Sequence, residues 1–141
     1  MKERTCNGQI KKLLIAVSCL VLLIMSFVTM AMTSEMVRLQ ANDNGKDIQV
    51  KTGAIIELSL EELGSAGYTW ELNNLDEKHF ELLKTETKPR GEKNRIGAAV
   101  IKTWQFKAKE PGASQISLDY FRPWEGKAKA VKHFQVQVHI M

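Results

Sequence analysis

The sequence predicts an all-β chain, a β-sandwich of seven or eight short strands behind an N-terminal hydrophobic segment. Three observations carry this. From Asp47 onward apolar residues recur with a period of two rather than 3.6. Clusters of Gly, Pro, Asn and Asp interrupt the runs at short intervals. No stretch in the later part of the chain carries a convincing amphipathic-helix pattern, which leaves two packed sheets as the way to bury the alternating faces.

The leading segment comes first. Lys11-Lys12 precede Leu13–Met32, an uncharged run whose polar members are Ser18, Cys19, Ser26 and Thr29. A basic start followed by an apolar run is the pattern of export, with the positive flank held on the cytoplasmic side. Residues 1–33 therefore read as a signal peptide or as an N-terminal membrane anchor. Thr29-Met30-Ala31 puts small residues at −3 and −1 of a cut after Ala31, and Met32-Thr33-Ser34 is a weaker second site. The run also approaches the roughly 20 residues of a spanning helix, so retention as an anchor stays open. Ala16-Val17-Ser18-Cys19 is a poor lipobox, because the residues after Cys19 remain apolar.

Charge divides the same way. The whole chain is +4 at pH 7. Residues 1–31 carry four basic side chains against one acidic, while residues 32–141 carry sixteen against fifteen. The exported part is thus nearly neutral, and no basic stripe for nucleic acid is expected. Both cysteines, Cys6 and Cys19, fall in the leader. The part from 34 to 141 is then neither a disulfide scaffold, a zinc–cysteine site nor a thiol enzyme, and its stability must come from an ordinary core.

The strands follow in order. Thr33–Gln40 is a tether or a first edge strand. Ile48 and Val50 alternate with polar neighbours, then Ile56, Leu58 and Leu60, then Tyr68, Trp70 and Leu72. A less regular strand is expected near Phe80–Thr87. Trp104, Phe106 and Ala108 make the next, followed by Ile116, Leu118 and Tyr120. The last run is the cleanest, with Phe134, Val136, Val138 and Ile140 on one face and His133, Gln135, Gln137 and His139 on the other. Leu60–Leu63 has the composition of a single helical turn. Turn signals stand at Asn42–Gly45, Thr52-Gly53, Gly64–Gly67, Asn73-Asn74, Pro89–Gly91, Pro111-Gly112 and Pro123–Gly126.

Catalytic patterns are lacking. His133 and His139 share a strand face but stand about 20 Å apart at ~3.3 Å per residue, too far for one metal. Ser65 has Leu63, not Gly, two positions before it, so no nucleophile elbow forms. Gly64 and Gly67 fit neither a dinucleotide nor a P-loop fingerprint. No cofactor and no metal are expected, and the chain does not read as an enzyme.

Function is then expected in loops, and three stand out. Gly64-Ser65-Ala66-Gly67-Tyr68-Thr69-Trp70 has glycines and small residues that let its backbone approach a partner, with Trp70 expected in the core. Gly91–Val100 is longer than the usual hairpin loop and ends in small residues, Gly97-Ala98-Ala99. Tyr120-Phe121-Arg122-Pro123-Trp124-Glu125-Gly126 carries a Trp beside a Pro that fixes its own φ. Trp and Arg are the side chains most enriched at binding hot spots.

These three motifs, in this order, resemble the chagasin-type inhibitors of papain-like cysteine peptidases. That family carries an Asn-Pro-Thr-Thr-Gly-aromatic-x-Trp loop, a Gly-rich loop and an Arg-Pro-Trp loop on one end of an immunoglobulin-like sandwich. The resemblance spans roughly Val37 to Ile140. It implies a reversible inhibitor that wedges the loops into the peptidase cleft. Gly64, Ser65, Ala66, Gly67 and Tyr68 would form the first contact, with the Ser65–Gly67 backbone over the catalytic Cys. Gly97, Ala98 and Ala99 would touch the non-primed subsites. Arg122, Pro123 and Trp124 would sit on the leaving-group side, Trp124 against aromatic surface and Arg122 on an acidic or carbonyl group. Leu63-Gly64 replace the family's Asn-Pro, which predicts a more mobile first loop. The implied partner is a papain-like cysteine peptidase, with the inhibitor a monomer touching membrane only through an uncleaved leader. An adhesion or assembly module using the same loops is the competing reading, and an enzyme built on Ser65 a remote third.

Overall fold

A computed structural model describes residues 11–15, 17, 34–91 and 99–141. The chain divides into two units, Met1–Thr33 and Ser34–Met141. In the first, residues 11–15 and 17 are helical. The rest of the leader, including the expected cleavage site, lies outside the described residues. Among the described residues no helix is long and apolar enough to cross a membrane.

The second unit is a sandwich of eight strands: β1 (Met36–Leu39), β2 (Asp47–Val50), β3 (Ile55–Glu62), β4 (Thr69–Leu72), β5 (Phe80–Pro89), β6 (Val100–Ala108), β7 (Gly112–Phe121) and β8 (Lys132–Ile140). One sheet has the order β1-β3-β6-β5, the other β2-β8-β7-β4. The alternation explains the burial. Ile56, Leu58 and Leu60 of β3, Trp104 and Phe106 of β6, and Phe134, Val136 and Val138 of β8 all turn inward and form one core with Ile116 and Leu118 of β7. Among the described residues the buried core lies between Leu39 and Ile140.

Two expectations are sharpened and one corrected. The segment before Gln40 is an edge strand, β1, parallel to β3 with Met36 opposite Ile55 and Leu39 opposite Leu58. The irregular fifth strand is an edge strand too, bulged between Leu82 and Lys84, and only Phe80 of it is buried. Its pattern is weak because it has little opposite sheet to cover it. The helical turn expected over Leu60–Leu63 does not form there. Leu60–Glu62 finish β3, and a 3-10 turn follows at Gly64–Ala66. The β3 hydrogen bonds to β6 extend to Glu62 opposite Val100, which holds those residues extended.

Strand register gathers the loops. Glu62, where the first loop starts, is opposite Val100, where the second ends. Thr69, where the first loop ends, is opposite Phe121, where the third starts. All three connections therefore leave the same end of the sandwich, and the first crosses from one sheet to the other. The chain enters at the other end, where the Glu35 carbonyl accepts the Ile55 N–H.

Candidate functional site

The base of the first loop is stitched by a buried carboxylate. Glu62 occupies the inward phase of β3 after Ile56, Leu58 and Leu60, and it is 9% exposed. Its Oε2 accepts the Thr69 hydroxyl at 3.0 Å and the Trp70 N–H at 3.1 Å. Lys102 of β6 donates to the Trp70 carbonyl at 2.8 Å and to the Thr69 hydroxyl oxygen at 3.2 Å. Both feet of the loop are thus tied across the two sheets. An acidic residue in an inward-facing position was the sequence signal for this brace, and the loop motifs alone missed it.

Trp70 is buried, as its strand phase predicts, with its indole N–H donated to the Glu61 carbonyl at 3.0 Å. It packs on Tyr120, with ring centroids 4.9 Å apart, and Tyr68 stacks on the same ring at 5.3 Å. The Tyr120 hydroxyl accepts the Leu63 N–H at 3.0 Å. Leu63 begins the turn, since its carbonyl accepts the Ala66 N–H. With Leu63-Gly64 in place of the family's Asn-Pro, the turn is still closed by this backbone hydrogen bond.

The third loop begins later than its motif suggests. Tyr120 and Phe121 complete β7 and are buried, so the exposed part starts at Arg122. The Glu125 N–H bonds the Arg122 carbonyl at 2.9 Å, closing a turn with Pro123 and Trp124 at its centre. Pro suits that first central position because its φ is already set. Trp124 is left 70% exposed at the tip, an unusual cost for so large an apolar surface.

Arg122 links the two loops. Its Nε donates to the Ala66 carbonyl at 3.1 Å and its Nη1 to the Glu125 carboxylate at 3.4 Å. Its guanidinium lies 4.5 Å from the Tyr68 ring centre and 6.0 Å from that of Trp124. The resemblance implies a partner group for Arg122; in the free chain its Nε serves the first loop and its Nη1 the third. Trp124 in turn covers Gly67, whose φ of +74° is open chiefly to glycine.

Of the sequence-predicted residues, Gly64, Ser65, Ala66, Gly67 and Tyr68 therefore stand together with Arg122, Pro123 and Trp124 on one edge. Ala99 is half-buried at the same end, its carbonyl accepting the Arg90 N–H at 2.9 Å. Gly97 and Ala98 lie outside the described residues. Ser65 makes no side-chain hydrogen bond with a His or carboxylate among the described residues, and no described group of His, Cys, Asp and Glu is arranged to hold a metal. The expected solvent-facing His133 is on the surface, 2.7 Å from Asp119.

An eight-strand sandwich presenting a glycine-bearing loop edge tipped by an exposed Trp has the form of a binding protein. The chain belongs to the chagasin family of peptidase inhibitors, I42, whose sequence profile matches residues 49–138. Members of this family inhibit peptidases and are not enzymes, and this chain is an inhibitor by that membership. Among solved structures, the cysteine protease inhibitor EhICP2 from Entamoeba histolytica superposes with a TM-score of 0.69 at 22% identity, covering 77% of this chain and 98% of its own. Amebosin gives 0.63 at 20% identity, covering 76% and 98%. PbICP-C, solved in complex with falcipain-2, gives 0.50 at 18% identity, covering 77% and 100%. At these identities the likeness is one of fold. No curated protein matches the chain in sequence.

Proposed function

We propose that the chain is a reversible, tight-binding inhibitor of papain-like cysteine peptidases, acting by seating the loop edge in the active-site cleft. The observation that carries this reading is the joining of first and third loops into one surface, through Arg122 on Ala66 and Trp124 on Gly67. Contacts that join these two loops in the free chain lower the conformational entropy lost on association. The Ser65–Gly67 backbone covers the catalytic thiol without offering a peptide bond for attack. Trp124 packs on aromatic surface beside it, and the second loop, with Gly97, Ala98 and Ala99, reaches the other side of the cleft. The neighbour PbICP-C was solved with falcipain-2, which supports a peptidase as the partner.

The chain is exported, to a periplasmic or extracellular location, by residues 1–33. The basic start and apolar run support this. Entry of the chain at the end away from the loops suits either a cut or a retained leader. Intact mass of the mature protein distinguishes the two.

The decisive experiment measures inhibition of papain and a cathepsin-type enzyme by Ser34–Met141, which contains the whole core. Competitive inhibition is expected, and Trp124→Ala should weaken it by about 30-fold, the equivalent of ~2 kcal/mol for a central anchor. Absence of inhibition at micromolar concentration would refute the reading. Because Trp124 is so exposed, the variant should keep the parent's unfolding midpoint.

A further inference from the structure

The two edge strands stop short of the loop end. β1 pairs with β3 only as far as Leu58, and β2 pairs with β8 only from Gln137 onward. Beyond them the seam between the sheets lies open as a groove of about 880 Å³. Tyr120 and Phe134 are among the buried aromatic residues lining it, and Leu63 and Val131, 50% and 56% exposed, are also among its lining. Ala66 and Tyr68 line it as well, so the groove runs directly into the first loop.

We propose that this groove is a second contact with the peptidase, receiving an apolar side chain from the rim of the cleft, and that Leu63 and Val131 set which peptidases fit. The proposal rests on the inhibitor reading above. Three observations carry it. Most polar side chains around the groove already have partners within the chain: the Tyr120 hydroxyl holds the Leu63 N–H, the Trp70 indole N–H holds the Glu61 carbonyl, Glu61 pairs with Arg90, His133 pairs with Asp119, and Asn44 donates to the His133 carbonyl, while the Lys132 ammonium lies over the Tyr120 ring. What the groove offers is therefore mainly apolar contact, with the Lys132 ammonium as the one cation among its described lining. Next, a standard protease–inhibitor interface takes about 20–30 residues a side, well beyond the loop-tip residues, so surface flanking them must be covered. Finally, Leu63 and Val131 are large apolar side chains left exposed on a flank that shares residues with the wedge.

The test compares inhibition constants of the full chain and its Leu63→Asp and Val131→Asp variants, with Trp124→Ala as reference, against whichever of papain and a cathepsin-type enzyme the parent inhibits more tightly. Each Asp variant should bind about tenfold or more weakly, while Val131→Ile stays near the parent. Both positions are exposed, so unfolding midpoints should be unchanged, and a melt on each variant checks this. Inhibition constants within about twofold of the parent for both Asp variants, alongside a large Trp124→Ala effect, overturn the proposal and leave the inhibitor reading standing. A parent that inhibits neither enzyme overturns both. Sedimentation of parent and Val131→Asp covers the remaining occupant: a parent dimer abolished by the substitution, with inhibition unchanged, assigns the groove to a second copy and overturns the proposal.

Discussion

Trp124 lies across Gly67 so closely that a β-carbon at Gly67 would clash with Cη2 of the indole. The contact joins residues from the third and first loops and fixes the height of one against the other. Gly67 is needed there twice over, for its positive φ and for its missing side chain.

Gly67→Ala should therefore act as a double lesion. The backbone strain costs about 1 kcal/mol, and the methyl group displaces Trp124 from its seat. Inhibition should weaken by about tenfold or more, close to the effect of removing the indole. Titration of a papain-like enzyme with the variant, paired with a denaturant melt, checks both parts; full retention of affinity would show that the indole moves freely.

Arg122→Lys should not substitute for Arg122. The ammonium can reach one acceptor, but it cannot hold the Ala66 carbonyl while also lying over the Tyr68 ring as the guanidinium does. The first loop loses one of its ties to the third, and binding must then order it further. Affinity should fall by about five- to tenfold, mainly through faster dissociation. Stopped-flow or surface-plasmon rates for parent and variant resolve this.

Glu62→Ala should destabilise the whole sandwich as well as the loop. It removes the acceptor of both the Thr69 hydroxyl and the buried Trp70 N–H. A buried donor left without a partner costs about 1–3 kcal/mol. Urea unfolding should show a lower midpoint with an unchanged slope. Glu62→Gln keeps one carbonyl acceptor and should recover part of the loss; equal losses for the two variants would argue against this brace.

The acid limit of stability should be set partly at the far end of the molecule. Asp76 is held at about 2, below its ordinary 3.8, by hydrogen bonds from His79 and then Ser114. A carboxyl lowered on folding stabilises the folded form above its unfolded value, and that contribution fades as pH drops from about 4 towards 2. His79 itself packs over Gly112, whose absent β-carbon would lie 2.5 Å from its Nε2. Asp76→Asn should flatten the loss of stability across that range and leave inhibition at neutral pH unchanged. A variant whose acid unfolding parallels the parent's would remove Asp76 from this account.

Much of the fold is legible before any coordinates. Ile56, Leu58 and Leu60, or Phe134 through Ile140, announce strands because a pleated chain sends alternate side chains to opposite faces. The weak pattern at Leu82-Leu83 belongs to an edge strand, where one face has little to pack against. The Arg122-Pro123-Trp124 motif likewise marks an exposed turn, since Pro suits the turn and Trp has no inward phase there. Leu60–Leu63 misled because helical propensity in four residues is outweighed by the ladder to β6.

Strand phase, the division of charge and the absence of thiols from residues 34–141 were settled by local order along the chain, since each depends only on neighbours or on counting. Who meets whom was not. Arg122 finds the carbonyl of Ala66 from 56 positions away, Tyr120 finds the N–H of Leu63 from 57, and the Leu63–Val131 groove exists because two edge strands end early. Those relations follow from strand pairing and register, which close the chain over long separations, and only the folded molecule carries them.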